Sequence, residues 1–373
     1  MERKFKDKKI VILSPQPWNH LFISKHHYAK ELAKQNDVYY VSPPSHKWIL
    51  DFTVKIIEKR LSLINFSVLV PDLVKFKFPK LYKSIVKRRL RKILAQEVGV
   101  ADFSIDFGCY QFFDSIDFFP AHFKIFFPVD DSINVKGLMR GANIVFTVSK
   151  KIQEKFPLYT CHFINHGLSD DFVKKAQQKS IEIEPWKPSS KINVGYAGNL
   201  FMRFLNFEVF EAIITENPSV HFHLFGEAVR GEQNPTTHRW SNFLKSAHNV
   251  TLHGMIEPAK LVESYQEIDL FMLCYQPDNL NYHGENSHKI LEYLSTGKVT
   301  VSSSISLYRD TNLLEMEERD KPLQKVFKEV VNNLAFYNSS NKMKKRRDFA
   351  LSNSYEKQLQ RMEKIIAQEF LDL

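Results

Sequence analysis

The chain alternates short apolar runs with longer stretches in which apolar residues recur every three or four positions. KKIVILSP (Lys8 to Pro15) is a short continuous apolar run, the pattern of a parallel strand buried on both faces. Ser24 to Gln35 carries Tyr28, Leu32 and Ala33 at helical spacing, and DVYYVSPP then reads as a second strand. Strand, helix and strand in that order open a doubly wound α/β domain. The rhythm resumes with FKIFFPVDD (Phe123 to Asp131), ANIVFTVS (Ala142 to Ser149) and CHFINHG (Cys161 to Gly167). Between Trp48 and Ile116 only one basic helix stands out among aromatic-rich pieces.

SIEIEPWKPSS (Ser180 to Ser190) has two prolines and no helical period, which suits a linker. A second alternation follows: strand KINVGYAG (Lys191 to Gly198), a helix near Phe207 to Thr215, strands SVHFHLFG and NVTLHG, a helix from Pro258 to Gln266, and strand DLFMLCY (Asp269 to Tyr275). Helix 288–296 and strand 298–302 come next, and the tail from Lys321 is polar and helical. The pattern therefore predicts an α/β protein of two doubly wound, Rossmann-like domains facing a cleft, residues 1–182 and 191–352. The helix within 353–373 is placed to pack back on the first domain.

Composition agrees with two folded halves. The 373 residues are 43% hydrophobic, enough for two cores and too apolar for a disordered chain. Cys109, Cys161 and Cys274 lie far apart and form no C-x-x-C or Cys/His cluster, so neither a zinc site nor a disulfide framework is expected. MERKFKDKK leads into no long apolar run and no window holds about 20 apolar residues, so a cytoplasmic protein without a membrane span is expected.

The net charge of +10 is unevenly spread. No acid lies between Asp72 and Glu97, whereas Lys75, Lys77, Lys80, Lys83, Lys87, Arg88, Arg89, Arg91 and Lys92 all do. Leu81, Ile85, Val86, Leu90, Ile93 and Leu94 recur among them at helical spacing. A basic amphipathic helix of this kind suits an anionic membrane surface, with Lys83, Lys87, Arg88, Arg89 and Arg91 as contacts. The same apolar stripe also suits packing on its own domain. No basic–aromatic nucleic-acid module is visible, so nucleic acid is not an expected partner.

In doubly wound sheets, ligands sit beyond the carboxyl ends of the strands. Gly198, Asn199 and Arg203 follow one predicted strand, Gly226 and Glu227 the next, and Gly254 another. Glycine there either admits a ligand close to the backbone or merely turns the chain. The stretch HGENSHKILEYLSTGKVTVSS (His283 to Ser303) is more specific. Asn286 or Ser287 suits an N-cap, and Gly297 suits the position that ends the helix. A helix start offers N–H groups and positive potential to a phosphate. Lys289 adds a cation in the first turn, where it opposes the helix dipole unless an anion is present. Glu292, one turn on, is placed to accept hydrogen bonds from a ribose diol. The alternative is a surface Lys289–Glu292 pair worth about 0.2–0.5 kcal/mol.

ENSHKILEYLSTGKVTVSS resembles the nucleotide-binding motif of GT-B glycosyltransferases, in which a Lys-x-x-Glu-Tyr-Leu-x-x-Gly-Lys helix precedes a Val-rich strand. NVGYAGNL, HLFGE and NVTLHGMI are similar to the segments that open their C-terminal domain. FPVDDS, ANIVFTVSKKI and INHGLSDDF are similar to segments of bacterial cell-envelope members, so the resemblance covers most of the chain outside Trp48 to Ile116. It implies that Glu292 holds the ribose of a nucleotide sugar and that Lys289 and Arg203 face the diphosphate. Many retaining members carry two glutamates with seven residues between them. Here Gly284 stands at the first position and Glu285 is one step off, which leaves Glu285, Asn286, Ser287 and His288 as candidates for the donor sugar.

The first domain should supply the acceptor site. Asp130 and Asp131 follow the strand FKIFFPV, where one of them suits a general base, or equally a helix cap. His166, at the next strand end, and Trp18 and His20, after the first strand, are candidate acceptor contacts. The resemblance implies transfer of a sugar from a nucleotide-sugar donor, bound as substrate, to a saccharide or lipid-linked saccharide in cell-surface polysaccharide synthesis. It implies no metal at the chemistry and no separate cofactor, in a cytoplasmic enzyme peripheral to the inner face of the membrane. A nucleotide-sugar epimerase of the same architecture and a non-enzymatic basic binding protein are the alternatives.

Overall fold

Strands rich in Val, Ile and Phe that are buried on both faces have one stable arrangement, a parallel sheet covered by helices. Two such sheets form. The computed structural model describes residues 5–19, 22–47, 49–129, 140–154, 161–178, 191–202, 204–227, 235–276 and 286–370. Two compact units divide the chain: residues 1–167 with 355–373, and residues 168–354.

In the first unit the described strands are β1 (Lys9–Leu13), β2 (Asp37–Val41), β3 (Ser45–His46), β4 (Phe52–Glu58), β5 (Leu61–Val68), β6 (Ala101–Asp106), β7 (Ala121–Phe126), β8 (Ile144–Thr147) and β9 (Cys161–Phe163). Their order is β3-β5-β2-β1-β6-β7-β8-β9, with β4 antiparallel on β5 and every other pairing parallel. The chain builds outward from β1 through β2 to β5, then returns to β6 on the other side of β1. The carboxyl ends of β1 and β6 thus form a topological switch point, the usual ligand position in such sheets.

After helix α1 (Ser24–Ala33), the stretch with no clear sequence pattern folds as the β4–β5 hairpin and two helices, α2 (Asp72–Lys77) and α3 (Pro79–Glu97). Tyr82, Val86, Leu90, Ile93 and Leu94 of α3 are buried in the core with Val11, Ile64 and Phe66. Most of the predicted apolar stripe therefore serves its own domain; Leu81 is the exception and stands 56% exposed.

Helix Tyr355–Glu369 completes the first unit from the far end of the sequence. Tyr355, Leu359, Met362 and Ile366 join the core of Ile10, Ile12 and Tyr28. Tyr355 stacks on His27 at 4.9 Å and meets Tyr28 edge-on at 4.9 Å, and a β-carbon at Gly167 would collide with its ring.

The second unit orders its described strands β12-β11-β10-β13-β14-β15, all parallel: β10 (Ile192–Ala197), β11 (Val220–Phe225), β12 (Val250–Gly254), β13 (Leu270–Leu273), β14 (Val299–Ser302) and β15 (Glu315–Met316). Helix Asp170–Gln178 belongs to this unit, because Leu168 and Phe172 are buried in its core. The chain passes from one unit to the other at Gly167 and Leu168. That point precedes the proline-containing stretch 180–190, which lies outside the described residues. Among the described residues no helix is long and apolar enough to cross a membrane.

Candidate nucleotide site

The carboxyl ends of β10, β11 and β12 are tied together by backbone. Gly198 N donates to Phe225 O at 2.8 Å, and Gly226 N donates to Gly254 O at 2.8 Å. Gly198 has φ +143 and Gly226 has φ +157, angles that side chains rarely adopt. Space excludes them as well: a β-carbon at Gly226 would collide with the Gly198 carbonyl, and one at Gly198 with the Lys289 ammonium. At Gly226 the obstacle is backbone, whereas at Gly198 it is the flexible end of the Lys289 side chain.

Lys289 comes from α4 (His288–Ser295). Ser287 occupies the cap position with extended backbone, φ −115 and ψ 128, but its side chain does not cap the helix. Ser287 thus holds the cap position without the capping hydrogen bond. Gly297 ends the helix with φ +82, in agreement with its predicted place.

Tyr293 fixes this helix against the sheet. Its hydroxyl accepts the Ala197 N–H at 2.9 Å, and its ring stacks on Phe271 at 4.2 Å and 9°. Lys289 thereby reaches the strand end at Gly198, and Glu292 lies beside Tyr265. Among the described residues no close salt bridge joins Lys289 and Glu292, although their charges attract, and neither side chain is fully exposed at the surface. Lys289 Nζ turns instead toward Tyr196, 5.3 Å from its ring centre, and toward Tyr275. Tyr275 is held by Ser303, whose hydroxyl accepts its N–H and donates to its carbonyl, both at 2.8 Å.

The electrostatics follow from this packing. Burial disfavours the charge on Lys289, but the Tyr196 and Tyr275 oxygens and Glu292 outweigh it and hold the ammonium protonated. Burial also pushes the Glu292 carboxyl up to about 7, against the pull of Lys289 and then Tyr265. Tyr265 is fully buried beside it, and its hydroxyl meets no partner at full hydrogen-bonding geometry. Lys289 and Glu292 each keep part of their surface open to solvent, although protein encloses most of both side chains.

Asn286, Ser287 and His288 stand partly exposed at the helix start. Asn199 is exposed and accepts the Phe201 N–H through its side chain at 2.9 Å. Arg203 and Glu285 lie outside the described residues. Tyr196, Tyr265, Tyr275 and Tyr293, which gather around Lys289 and Glu292, were not singled out in the sequence. Their only signal was position, at strand ends and beside Glu292.

In the first unit, Asp130, Asp131 and His20 lie outside the described residues. Trp18 is half-buried among Phe22, His26 and Tyr40, edge-on at 5.3, 5.4 and 5.0 Å. His166 is buried, with Nδ1 3.3 Å from Ser24 Oγ and its carbonyl accepting from Gln358 at 3.0 Å. Sequence reasoning missed the group at the switch point itself, Asp106. One of its oxygens accepts the Gly108 and Cys109 N–H groups at 2.9 Å each, while the other is buried with no partner. Burial pushes this carboxyl up to about 6, against those hydrogen bonds and the fully buried Lys25.

No family model and no curated protein sequence matches the chain. Solved structures do. A sucrose-phosphate synthase from Thermosynechococcus elongatus superposes with a TM-score of 0.67 over 98% of this chain and 100% of that one, at 13% identity. The chain has the GT-B fold. A structure described as trehalose-6-phosphate from E. coli bound with UDP-2-fluoro glucose matches with a TM-score of 0.65, 10% identity, and coverage of 96% and 99%. A glycosyltransferase from Rickettsia africae matches with a TM-score of 0.60, 10% identity, and coverage of 98% and 100%. The GT-B likeness spans both units, while the low identity confines it to the fold.

Proposed function

We propose that the protein is a glycosyltransferase that uses a nucleotide-sugar donor and transfers the sugar to a saccharide or lipid-linked saccharide. One observation carries this reading: Lys289, Glu292, Gly198 and Gly226 converge where a helix start meets the carboxyl ends of parallel strands. A diphosphate would lie against the first turn of α4 and the Lys289 ammonium, and the ribose hydroxyls would donate to Glu292. Arg203 is assigned to the same diphosphate, and Glu285, Asn286, Ser287 and His288 to the donor sugar.

In the reaction an acceptor hydroxyl oxygen forms a bond to the anomeric carbon. The bond from that carbon to the diphosphate oxygen breaks, and the electron pair leaves on the diphosphate. Lys289 and the helix start act on the charge that grows there, which lowers the barrier more than it stabilises the bound donor. The acceptor proton goes to a carboxylate of the first unit, with Asp130 or Asp131 as candidates. The switch point at Asp106 and Lys25, with Trp18, His20 and His166 nearby in sequence or fold, is the acceptor region of this reading.

The test is a thermal-shift panel of uridine, guanosine, cytidine and adenosine diphosphates on wild type and Glu292→Ala. The fold match whose description names a bound UDP sugar makes uridine diphosphate the first choice. One diphosphate should stabilise wild type, and the variant should respond less. No stabilisation by any of them would remove the donor site from consideration, and an equal response by Glu292→Ala would remove the ribose assignment.

A further inference from the structure

Five of the twelve exposed large hydrophobic side chains among the described residues fall between Leu69 and Leu81. Leu69 is 50% exposed, Leu73 66%, Phe76 75%, Phe78 60% and Leu81 56%. Leu69 directly follows β5, so the group begins at the carboxyl end of the first sheet, the end at which ligands bind in such folds. Helix α2 carries Leu73 and Phe76, and Phe78 then serves as the cap position of α3. The corner is well fixed: Phe78 N donates to Val74 O at 2.9 Å, and Tyr82 N donates to Phe78 O at 3.0 Å. Exposed aromatic rings on an ordered corner leave apolar surface in water, which a folded protein retains where something covers it.

The charge around the corner identifies what covers it. No acid occurs from Leu73 to Gln96. Lys77 and Lys80 are exposed at the corner itself. Along α3 the outward face reads Leu81, Ser84, Arg88 and Arg91, each exposed and spaced by three or four residues. By helix rise, Arg88 and Arg91 lie about 10 and 15 Å from Leu81, so apolar corner and cations share one side of one rod. Of the remaining cations of the helix, Lys92 is exposed as well, whereas three are engaged elsewhere. Lys87 pairs with Asp114 at 2.5 Å, Arg89 lies over the Phe52 ring at 5.7 Å, and Lys83 is half-buried, its affinity for a proton lowered by burial.

We propose that the protein docks on an anionic phospholipid bilayer through this corner, with Phe76, Phe78, Leu73 and Leu81 entering the headgroup boundary and Lys77, Lys80, Arg88 and Arg91 lying on the phosphates. The long helix does not insert its own apolar stripe, because that stripe is core. Two signals, a few inserted rings and a basic face, are what reversible surface binding requires. Docking by this end presents the carboxyl ends of the first sheet toward the lipid. The inference is independent of the donor site, because binding to lipid needs no nucleotide.

The test is flotation of the full chain with vesicles rich in phosphatidylglycerol, against pure phosphatidylcholine. Wild type should float with the anionic vesicles only, and added salt should weaken it. Phe76→Ser with Phe78→Ser should bind about 10-fold more weakly or worse, and Arg88→Glu with Arg91→Glu likewise. Lys87→Glu, which loses a partnered cation, should change binding less. All four positions of the two double variants are exposed, and unchanged melting temperatures would show that the variants fold. Wild type that fails to float overturns the proposal, and so does a Phe76/Phe78 variant that floats as well as wild type. A variant that only converts a dimer to a monomer would assign the corner to a second copy of the chain and equally overturn it.

Discussion

The ammonium of Lys289 rests on the backbone of Gly198, in the place a β-carbon at residue 198 would occupy. Lysine and glycine come from different elements and meet here, so a side chain at 198 and the Lys289 ammonium compete for the same space. Gly198→Ala should therefore displace Lys289 and strain a backbone held at φ +143. We expect nucleoside diphosphate affinity to fall about 10-fold or more, because the lost contact is charge-assisted. Lys289→Met should cost about 1.5–3 kcal/mol toward the diphosphate while leaving the weak affinity for the nucleoside unchanged. Titration calorimetry with both ligands separates these outcomes; an equal loss for both would place Lys289 off the phosphates.

Glu292 gives the site a pH dependence with a definite sign. Its carboxyl, raised by burial to about 7, is partly protonated at neutral pH in the free protein. Ribose hydroxyls that donate to it require the ionised form. Diphosphate affinity should thus rise with pH up to about 7 and then level, falling by up to about tenfold per pH unit below that point. For stability the sign is opposite. A carboxyl raised in the folded state stabilises the free protein below its ordinary value, and that contribution is lost as pH rises through about 7. Affinity measured against pH on wild type and Glu292→Gln tests this, and a variant with the same profile would assign the titration to another group.

The two strand–helix alternations and the helix His288–Ser295 were legible because their signals are local. A buried parallel strand is a short apolar run, and the helix start and terminating Gly297 are read within a few residues. Two features were not legible. The hairpin β4–β5 went unread although Phe52, Val54 and Ile56 alternate with polar residues; β4 is a mostly exposed strand paired only to β5, so that alternation marks no core. Asp106 hid because nothing in FSIDFG shows that β6 returns beside β1; the switch point exists only once the strand order is known. Likewise the sequence pairs Lys289 with Glu292 by spacing, whereas the fold turns Lys289 to Gly198, Tyr196 and Tyr275.

A row of histidines on the second sheet should make the protein acid-sensitive. His223 Nδ1 lies 3.0 Å from His253 Nε2, and His223 Nε2 lies 3.2 Å from Asn193 Oδ1. His221 reaches Thr251 at 2.7 Å. One ring nitrogen must donate and the other accept between His223 and His253, so at least one ring is neutral. Burial, then His221 and His253, lowers His223 to about 4, and burial lowers His221 and His253 as well. The unfolded chain protonates these rings near the ordinary histidine value. Their contribution is therefore complete above about 6.5 and is lost as pH falls toward about 4. Denaturant midpoints measured across that window should drop with acid, and His223→Gln should flatten the slope; an unchanged slope would place the sensitivity elsewhere.

Arg346 is the strongest test of what holds the second unit together. It is 1% exposed, and its guanidinium donates to the carbonyls of Tyr337 at 2.8 Å, Gly297 at 3.2 Å and Leu313 at 3.4 Å. Burial lowers it to about 10, opposed by Glu315 at 3.8 Å, so it stays charged at neutral pH. Arg346→Met fills similar volume and removes a buried charge, which is favourable, but it takes the guanidinium donors away from three buried carbonyls. Each stranded group costs about 1–3 kcal/mol. The carbonyls outweigh the relieved charge, and a net loss of about 2–4 kcal/mol is expected. Urea unfolding should show a lower midpoint with an unchanged slope. Gly297 closes the far end of α4 from Lys289, so diphosphate affinity of the folded variant should stay within about threefold. The exposed control Arg88→Met should move stability by no more than about 0.5 kcal/mol. If Arg346→Met were as stable as wild type, the carbonyl cage would be dispensable, and the ordered end of α4 would have to be credited to the Asn338 side chain, which accepts the Val299 N–H at 2.8 Å.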